Sequence, residues 1–233
     1  MTNGLTALLS GATHLILDFD GVVADSEPLF RRSWNHALSS VGHRVSEEDY
    51  WLHWSSLGEG LEGELSRSGL ELSEARRERL RAMQREAYAG YCRQGLVPLA
   101  RGARELLGLL EEGGCGLRGW AIASNTDSRL VEEVLRRAEA PLPPLLVGGE
   151  GLNRKPAPDI FLRASGLLEA EPARCLVVED SIKGIRAALA GGFPVVRVLN
   201  PQNRSHGAPA MLDLEGLAPL SRALAERRHD GDA

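Results

Sequence analysis

Short apolar runs that end in polar turn residues recur along the chain, and segments with apolar residues at helical spacing lie between them. The runs cover residues 14–19, 119–124, 145–147, 174–178 and 194–199. Runs of this length, closed by turn signals, are typical of buried parallel strands. The intervening segments 103–112, 128–138, 158–165 and 182–190 are predicted to be helices. This alternation predicts an α/β protein, a doubly wound parallel sheet with helices on both faces.

One region departs from the alternation. Residues 25–95 contain no strand-like run, and their apolar residues, such as Leu29, Trp34 and Leu38, follow helical spacing. We therefore expect an all-helical cap domain at 25–95, inserted into a Rossmann-like core formed by residues 1–24 and 96–233. Residues 24–26 and 95–98 are the predicted hinges. A helix is also expected near the C-terminus, over 217–227.

Charge and composition narrow the possible partners. The net charge is -5, and arginines alternate with acids between residues 74 and 85, so a nucleic-acid partner is not expected. The three cysteines have no CxxC spacing, which argues against a zinc site or a disulfide framework. No stretch approaches the roughly 18 apolar residues of a membrane span. A cytoplasmic location, without membrane contact, is the expectation.

Carboxylates follow two of the predicted strands. Asp18 and Asp20 close the first strand before a glycine, and Glu179 and Asp180 close the fourth. Because the carboxyl ends of parallel strands open into one crevice, these acids are expected to meet. Close carboxylates repel unless a cation or a shared proton relieves them, and hard cations such as Mg²⁺ prefer such oxygens. A turn aspartate and acids that complement a helix N-terminus are the plainer alternatives.

Groups suited to an anion follow the other strands. Ser124 and Asn125 stand before a predicted helix, where a hydroxyl and free backbone N–H groups suit an anionic oxygen, although a simple N-cap fits too. Lys155 precedes the first of two prolines and is held extended, so it could present a fixed charge to a phosphate. A solvated loop lysine is the alternative reading.

Together, and in this order, the segments DFDGVVADSE, ASNT, KPAPDIF and VVEDSIKGI resemble the motifs of the haloacid dehalogenase superfamily. The likeness is to its sugar-phosphate phosphatase branch, which includes phosphoglycolate phosphatase and β-phosphoglucomutase. It covers residues 14–199. The cap matches that branch in position and size, not in motif.

The resemblance implies an Mg²⁺-dependent phosphatase acting on a small phosphorylated metabolite, a sugar or sugar-acid phosphate, as a monomer or homodimer. It implies that Asp18 is the nucleophile and forms an aspartyl-phosphate, and that Asp20 is the general acid and base. Ser124, Asn125 and Lys155 would bind the phosphate. The implied metal ligands are the carboxylates of Asp18 and Asp180 and the backbone carbonyl of Asp20, with Glu179 bound to the metal either directly or through a water molecule.

The cap is expected to select the substrate, with candidates in the segment YWLHWSSLGEG: His53, Trp54, Ser55 and Glu59. Trp34 and Trp51 are expected in the cap core. A mutase of the β-phosphoglucomutase type is the first alternative. Two departures from the mutase pattern weigh against it: Phe30 stands where the mutases carry a histidine, and residues 55–64 contain no Lys or Arg. A non-catalytic binding protein is the second alternative.

Overall fold

The computed structural model describes residues 2–200, 203–204 and 207–230. Six strands form one parallel sheet in the order β3-β2-β1-β4-β5-β6. They are β1 His14–Leu17, β2 Gly119–Ala123, β3 Leu146–Val147, β4 Cys175–Glu179, β5 Val195–Val198 and β6 Leu212–Leu214. The predicted α/β fold with a doubly wound parallel sheet is confirmed. The sixth strand was not predicted, because a run of three residues with Asp213 at its centre carries no apolar signal.

Ten α-helices and two short helices of other types lie in the described part of the chain. The α-helices are α1 Thr2–Gly11, α2 Glu27–Ser39, α3 Glu47–Asp49, α4 Gly60–Ser68, α5 Glu74–Arg93, α6 Ala103–Glu112, α7 Ser128–Arg137, α8 Asp159–Leu167, α9 Ile182–Ala190 and α10 Ala218–Asp230. A π-helix covers Tyr50–Ser56, and a 3₁₀-helix covers Pro172–Arg174. Among the helices described, none is long and apolar enough to cross a membrane.

The sheet separates two apolar cores, because successive side chains of a strand point to opposite faces. In β1, Leu15 and Leu17 enter the core on one face and Ile16 enters the core on the other, all fully buried. In β4, Val178 joins the first core and Val177 the second. Burial on both faces explains why these strands read as continuous apolar runs.

Helices α2, α4 and α5 share a third apolar cluster with the π-helix that lies between α3 and α4. Trp34 and Trp54 meet there with ring centroids 4.8 Å apart, and Trp51 packs against the same cluster. Ser46 and Ser73 begin α3 and α5 by accepting hydrogen bonds from backbone N–H groups, as N-cap serines do. The helical region 25–95 is called the cap below, and its boundaries stay a prediction.

The two linkers of the cap lie side by side. Ala24 and Leu99 form an antiparallel bridge. The N–H of Asp25 donates to the carbonyl of Pro98 at 2.9 Å, and the N–H of Ala100 donates to the carbonyl of Val23 at 2.9 Å. The chain therefore leaves the core and returns to it through one paired segment.

Candidate active site

The polar residues singled out in the sequence gather at the carboxyl edge of the sheet. Asp18 and Asp20 follow β1, Ser124 follows β2, and Glu179 ends β4. Strand β1 lies between β2 and β4, where the strand order reverses. Crevices at such reversals are the usual ligand sites of open parallel sheets.

Lys155 joins two of these acids. Its Nζ donates to Oδ1 of Asp18 at 2.7 Å and to Oε1 of Glu179 at 2.9 Å. The same ammonium lies 4.5 Å from the centre of the Phe161 ring. Lys155 is buried, so it is neither the solvated loop lysine of the alternative reading nor free to move.

Burial and neighbouring charges shift the pKa values of the acids and the lysine at this site. Burial, together with the charges of Glu179 and Asp20, raises the pKa of Asp18 to about 8, although Lys155 acts to lower it. Burial and the neighbouring charges of Glu179 and Asp18 raise the pKa of Asp180. Burial acts to lower the pKa of Lys155, but its two carboxylate partners raise it. Four acids and one lysine leave an excess of negative charge that a cation would relieve.

Several hydrogen bonds fix the carboxylate of Glu179. Its Oε2 accepts hydrogen bonds from the N–H groups of Asp180 and Ser181, each at 2.7 Å, and from the Ser181 hydroxyl at 3.0 Å. These donors open α9, so the carboxylate also complements the positive end of that helix. Burial acts to raise the pKa of Glu179, but Lys155 and the Ser181 bonds lower it.

Asp20 has different surroundings. Its Oδ1 accepts a hydrogen bond from Ser26 at 2.6 Å, and its Oδ2 accepts hydrogen bonds from Ser124 at 2.9 Å and Thr126 at 2.7 Å. Ser124 therefore contacts a carboxylate, and it also lines the cavity at this edge of the sheet. Ser26 and Thr126 were not among the predicted site residues, although both lie in the motif segments.

Three carboxylates fit a divalent cation. Asp18, Glu179 and Asp180 each offer an oxygen, and these atoms lie within 4.8 Å of one another. Oxygen donors of this type suit Mg²⁺ or Ca²⁺. Gly21 has φ +80°, and a Cβ there would lie 2.1 Å from Oδ2 of Asp180. The turn after Asp20 thus depends on a glycine that leaves room for this acid.

Two asparagines position the backbone around the acids. The side-chain oxygen of Asn125 accepts a hydrogen bond from the N–H of Lys155 at 3.2 Å, so its side chain contacts the lysine loop. Nδ2 of Asn203 donates to the carbonyl of Asp180 and to that of Val198, both at 2.9 Å. Asn203 was not predicted, because its partners lie on separate strand ends.

A cavity of about 700 Å³ lies between these acids and the cap. Of the predicted cap residues, Trp54 and Ser55 line it. His53 and Glu59 do not: they bond each other at 3.1 Å, and Glu59 also pairs with Arg67. These contacts hold both side chains against each other and against Arg67, away from the residues that line the cavity.

Sequence reasoning missed most of the cap side of the cavity. The missed lining residues include Glu27, Phe30, Tyr50, Gln84 and Tyr88. Trp34, assigned to the cap core, both packs there and lines the cavity. The helical spacing of these residues signalled only burial, since apolar core and aromatic pocket wall share one pattern.

Basic residues also reach the cavity, although the cap segment 55–64 has none. Arg85 comes from α5, Arg129 from α7, and Arg154 from the loop before Lys155. All three are exposed. Lys183 of α9 is half-buried, and its stem lies against Gly58 of the cap. The absence of basic residues from segment 55–64 therefore did not predict the charge of the residues that line the cavity.

Known proteins resemble this chain in sequence and in fold. The family described as haloacid dehalogenase-like hydrolase matches residues 12–192. Protein CbbY from Rhodobacter capsulatus is 31% identical over 202 residues, covering 83% of this chain and 87% of the relative. Hexitol phosphatase A from Escherichia coli (strain K12) is 29% identical over 191 residues, 80% and 82% of the two chains. The crystal structure of β-phosphoglucomutase from Clostridium difficile superposes with a TM-score of 0.76 at 20% identity, covering 94% of this chain and 98% of the other; it shares the fold.

Proposed function

Because the chain belongs to the haloacid dehalogenase-like hydrolase family, we propose that it is an Mg²⁺-dependent phosphatase of small phosphorylated sugars that works through an aspartyl-phosphate on Asp18. Its phosphatase relatives, such as hexitol phosphatase A, support the hydrolysis of a phosphoric monoester. The metal, the covalent intermediate and the substrate are the parts that we propose.

The observation that carries the proposal is the contrast between Asp18 and Asp20. Asp18 lies in the acid cluster beside the Lys155 ammonium, while Asp20 lies among the hydroxyls of Ser26, Ser124 and Thr126. Two carboxylates with different environments at one site are the usual basis for two separate roles.

We assign the nucleophile to Asp18 and the proton transfers to Asp20. In the first step a carboxylate oxygen of Asp18 bonds to phosphorus, the ester bond breaks, and Asp20 gives its proton to the leaving alcohol. In the second step Asp20 takes a proton from a water molecule whose oxygen attacks the phosphorus. The acyl phosphate bond then breaks, and inorganic phosphate leaves with Asp18 regenerated.

Lys155 and Ser124 would hold the phosphoryl oxygens. Lys155 is a preorganised charge, because Asp18 and Glu179 fix its ammonium. Ser124 reaches Asp20 at 2.9 Å and could turn its hydroxyl to a phosphate. Asn125 would contribute by holding the Lys155 backbone and through its own N–H group.

The carboxylates of Asp18, Glu179 and Asp180, with the backbone carbonyl of Asp20, would hold Mg²⁺. When bound, the ion would offset the charge of the acids and of the phosphate, which otherwise repel. The close spacing of the three carboxylates supports this assignment.

The mutase remains the main alternative. The structural likeness to β-phosphoglucomutase concerns the fold alone, and Phe30 still lacks the proton-transferring group of histidine. A crystal structure of CbbY from Rhodobacter sphaeroides contains xylulose-(1,5)bisphosphate. A substrate with a second phosphate is therefore the second candidate, and Arg85, Arg129 and Arg154 at the cavity would bind that phosphate. A non-catalytic binding role is disfavoured by the complete set of polar groups.

The test is phosphate release from a panel of sugar phosphates, polyol phosphates and p-nitrophenyl phosphate, with and without Mg²⁺. We expect release that needs the metal, stops on addition of EDTA, and is lost in Asp18→Asn. Activity that survives in Asp18→Asn would contradict the covalent route. Isomerised sugar phosphates without free phosphate would support the mutase.

A further inference from the structure

The carboxylate of Glu27 is buried at the cavity without a paired cation. Its side chain is 8% exposed and lines the cavity from the first turn of α2. Its Oε2 accepts a hydrogen bond from the hydroxyl of Tyr50 at 2.6 Å, which is a neutral donor. No Lys, Arg or His in the described part of the chain forms an ion pair with it. Because buried glutamates are rarely found without such a partner, this acid calls for a cation.

Lys183 compensates the charge of Glu27 only from a distance. Burial raises the pKa of Glu27, and the charge of Lys183 acts in the opposite direction. The stem of Lys183 packs against the cap loop, since a Cβ at Gly58 would lie 2.8 Å from its Cδ. Lys183 therefore reduces the cost of burying Glu27 without binding to its carboxylate.

Aromatic side chains line the cavity together with Glu27. Phe30 and Trp34 follow it on one face of α2, three and seven residues further along, and both are half-buried. Tyr50 and Trp54 come from the π-helix. The ring centroids of Trp34 and Trp54 are 4.8 Å apart with the planes at 59°, and those of Tyr50 and Trp54 are 6.1 Å apart with the planes at 24°. The three rings therefore form an aromatic corner at the wall of the cavity.

Hydrogen bonds hold two rings of this corner in place. Nε1 of Trp54 donates to Oε2 of Glu64 at 3.1 Å, and the hydroxyl of Tyr50 is bound to Glu27. The cation–π contacts in the described part of the chain involve other rings, so no Lys or Arg there covers the corner. Fixed aromatic rings beside a carboxylate are typical surroundings of a bound ammonium group.

Glu27 lies on the side of the cavity where the leaving alcohol is expected. Ser26 donates to Oδ1 of Asp20 at 2.6 Å, and Glu27 is the next residue of the chain. The charge of Asp20 also contributes to the raised pKa of Glu27, after the larger effect of burial. Under the proposed function Asp20 protonates the leaving oxygen. A group bound by Glu27 would therefore belong to the leaving alcohol and lie near its ester oxygen.

We propose that Glu27 and the rings of Trp34, Tyr50 and Trp54 form a binding site for an ammonium group, which makes phosphate esters of amino alcohols, amino sugars among them, the preferred substrates. A neutral hydroxyl would leave the charge of Glu27 unpaired, and a carboxylate would be repelled by it. An ammonium group donates hydrogen bonds and supplies the missing charge. This inference rests on the proposed phosphatase function and deepens it by naming a charged group of the substrate.

The test uses two pairs of substrates, each differing in one group. The pairs are O-phosphoethanolamine with ethylene glycol monophosphate, and glucosamine 1-phosphate with glucose 1-phosphate. In each pair an ammonium group replaces a hydroxyl on the carbon next to the ester carbon. We expect wild type at pH 7 to prefer the ammonium member of at least one pair by about tenfold or more in kcat/KM, the effect of a hydrogen bond between charged groups.

Glu27→Gln removes the charge but keeps the size of the side chain and an oxygen that accepts from Tyr50. The ratio of kcat/KM values within the preferred pair should fall about tenfold or more. A merely structural effect would lower both members of the pair alike and leave this ratio unchanged. Glu86→Gln is the matched control, because Glu86 lines the same cavity but is exposed and paired with Arg93. It should keep the ratio within about twofold of wild type.

Lys183→Met provides a second variant with the opposite expected effect. It removes a positive charge near Glu27 and keeps an apolar stem against Gly58. Because an ammonium group then competes with no other cation, the ratio should rise about twofold or more. A fall of the ratio in Lys183→Met would contradict the inference.

The outcomes separate the two proposals. If neither these esters nor p-nitrophenyl phosphate is hydrolysed in an Asp18-dependent way, the phosphatase function fails, and this inference with it. If hydrolysis is Asp18-dependent but wild type prefers the hydroxyl member of both pairs, or neither member, the inference is wrong and the function stands. The same conclusion follows if Glu27→Gln retains the preference of wild type.

Discussion

Gly184 and Glu179 are in contact across the first turn of α9: a Cβ at residue 184 would lie 1.7 Å from Oε1 of Glu179. That oxygen is the one that binds Lys155. Any side chain at 184 would therefore displace the carboxylate that fixes the lysine.

Gly184→Ala should lower phosphatase activity at least about a hundredfold, since displacements near 1 Å in an active site have effects of that size. Gly108→Ala is the control. Gly108 lies inside α6, where an added methyl group would meet no atom within 4 Å, and alanine there should stabilise the protein by about 0.5–1 kcal/mol. Steady-state kinetics and urea unfolding of both variants check this. Normal activity in Gly184→Ala would show that Glu179 does not set the position of Lys155.

Asp180→Asn should have opposite effects on the metal-free and metal-bound protein. Without metal, the variant removes one of several buried acids that repel each other, so Tm should rise. With Mg²⁺ at a hundred times its Kd, wild type should gain about 2.7 kcal/mol, and the variant should gain little. Thermal unfolding with EDTA or Mg²⁺ measures both. Glu171→Gln, at an exposed acid outside the site, is the control and should behave like wild type. If Mg²⁺ stabilises Asp180→Asn as much as it stabilises wild type, the proposed metal site is wrong.

Asn203→Ala should weaken Mg²⁺ binding about 10- to 100-fold, as expected when a group that orients a metal ligand is removed. The variant leaves the carbonyls of Asp180 and Val198 without their donor, at a cost of about 1–3 kcal/mol in unfolding free energy. Titration of activity with Mg²⁺ checks the affinity. Asn153→Ala, which breaks an exposed bond to Asp159, should leave the affinity unchanged. An unaltered affinity in Asn203→Ala would mean that Asp180 is positioned by other contacts.

Glu64→Gln should destabilise the cap in a pH-dependent way. Burial acts to raise the pKa of Glu64, but hydrogen bonds from His43 at 2.8 Å, Trp54 at 3.1 Å and Arg67 at 2.8 Å outweigh it and lower the pKa. An acid with a lowered folded pKa contributes stability above its unfolded value, near 4.5, and loses it as pH falls through the folded value.

The difference in unfolding free energy between wild type and Glu64→Gln should therefore be constant near pH 7 and shrink below about pH 4.5. Urea unfolding between about pH 3.5 and 7 measures it. Glu48→Gln, at an exposed cap acid, should show no such trend. A difference that grows on acidification would have the wrong sign for the proposed network.

The sequence predicted which polar residues gather at the strand ends better than it predicted which residues line the cavity. Asp18 and Asp180 could be placed because buried parallel strands read as apolar runs and end at one edge of the sheet. β6 was missed because Asp213, paired with Arg197, interrupts a run of three. No local pattern could show that Asn203 reaches back to Asp180, since that contact depends on how distant segments pack.

The cap shows more directly what sequence patterns could not predict. Helical spacing indicated only that one face of each cap helix is apolar, and the ring of Tyr88 on α5 does lie in a buried cluster. Whether its hydroxyl meets a partner or a cavity depends on the neighbouring helix, which spacing along one helix does not report. Likewise, His53 and Trp54 are adjacent in sequence, but Trp54 lines the cavity whereas His53 pairs with Glu59.

The paired linkers at Ala24 and Leu99 have a consequence for the evolution of such a protein. Because the cap leaves and re-enters the core through hydrogen-bonded neighbours, the two chain ends that flank it lie side by side, whatever segment is inserted between them. The acids of β1 and β4 lie outside that interruption. Under the proposed function, evolution could then alter the cap side of the cavity while the acids at the strand ends stay as they are.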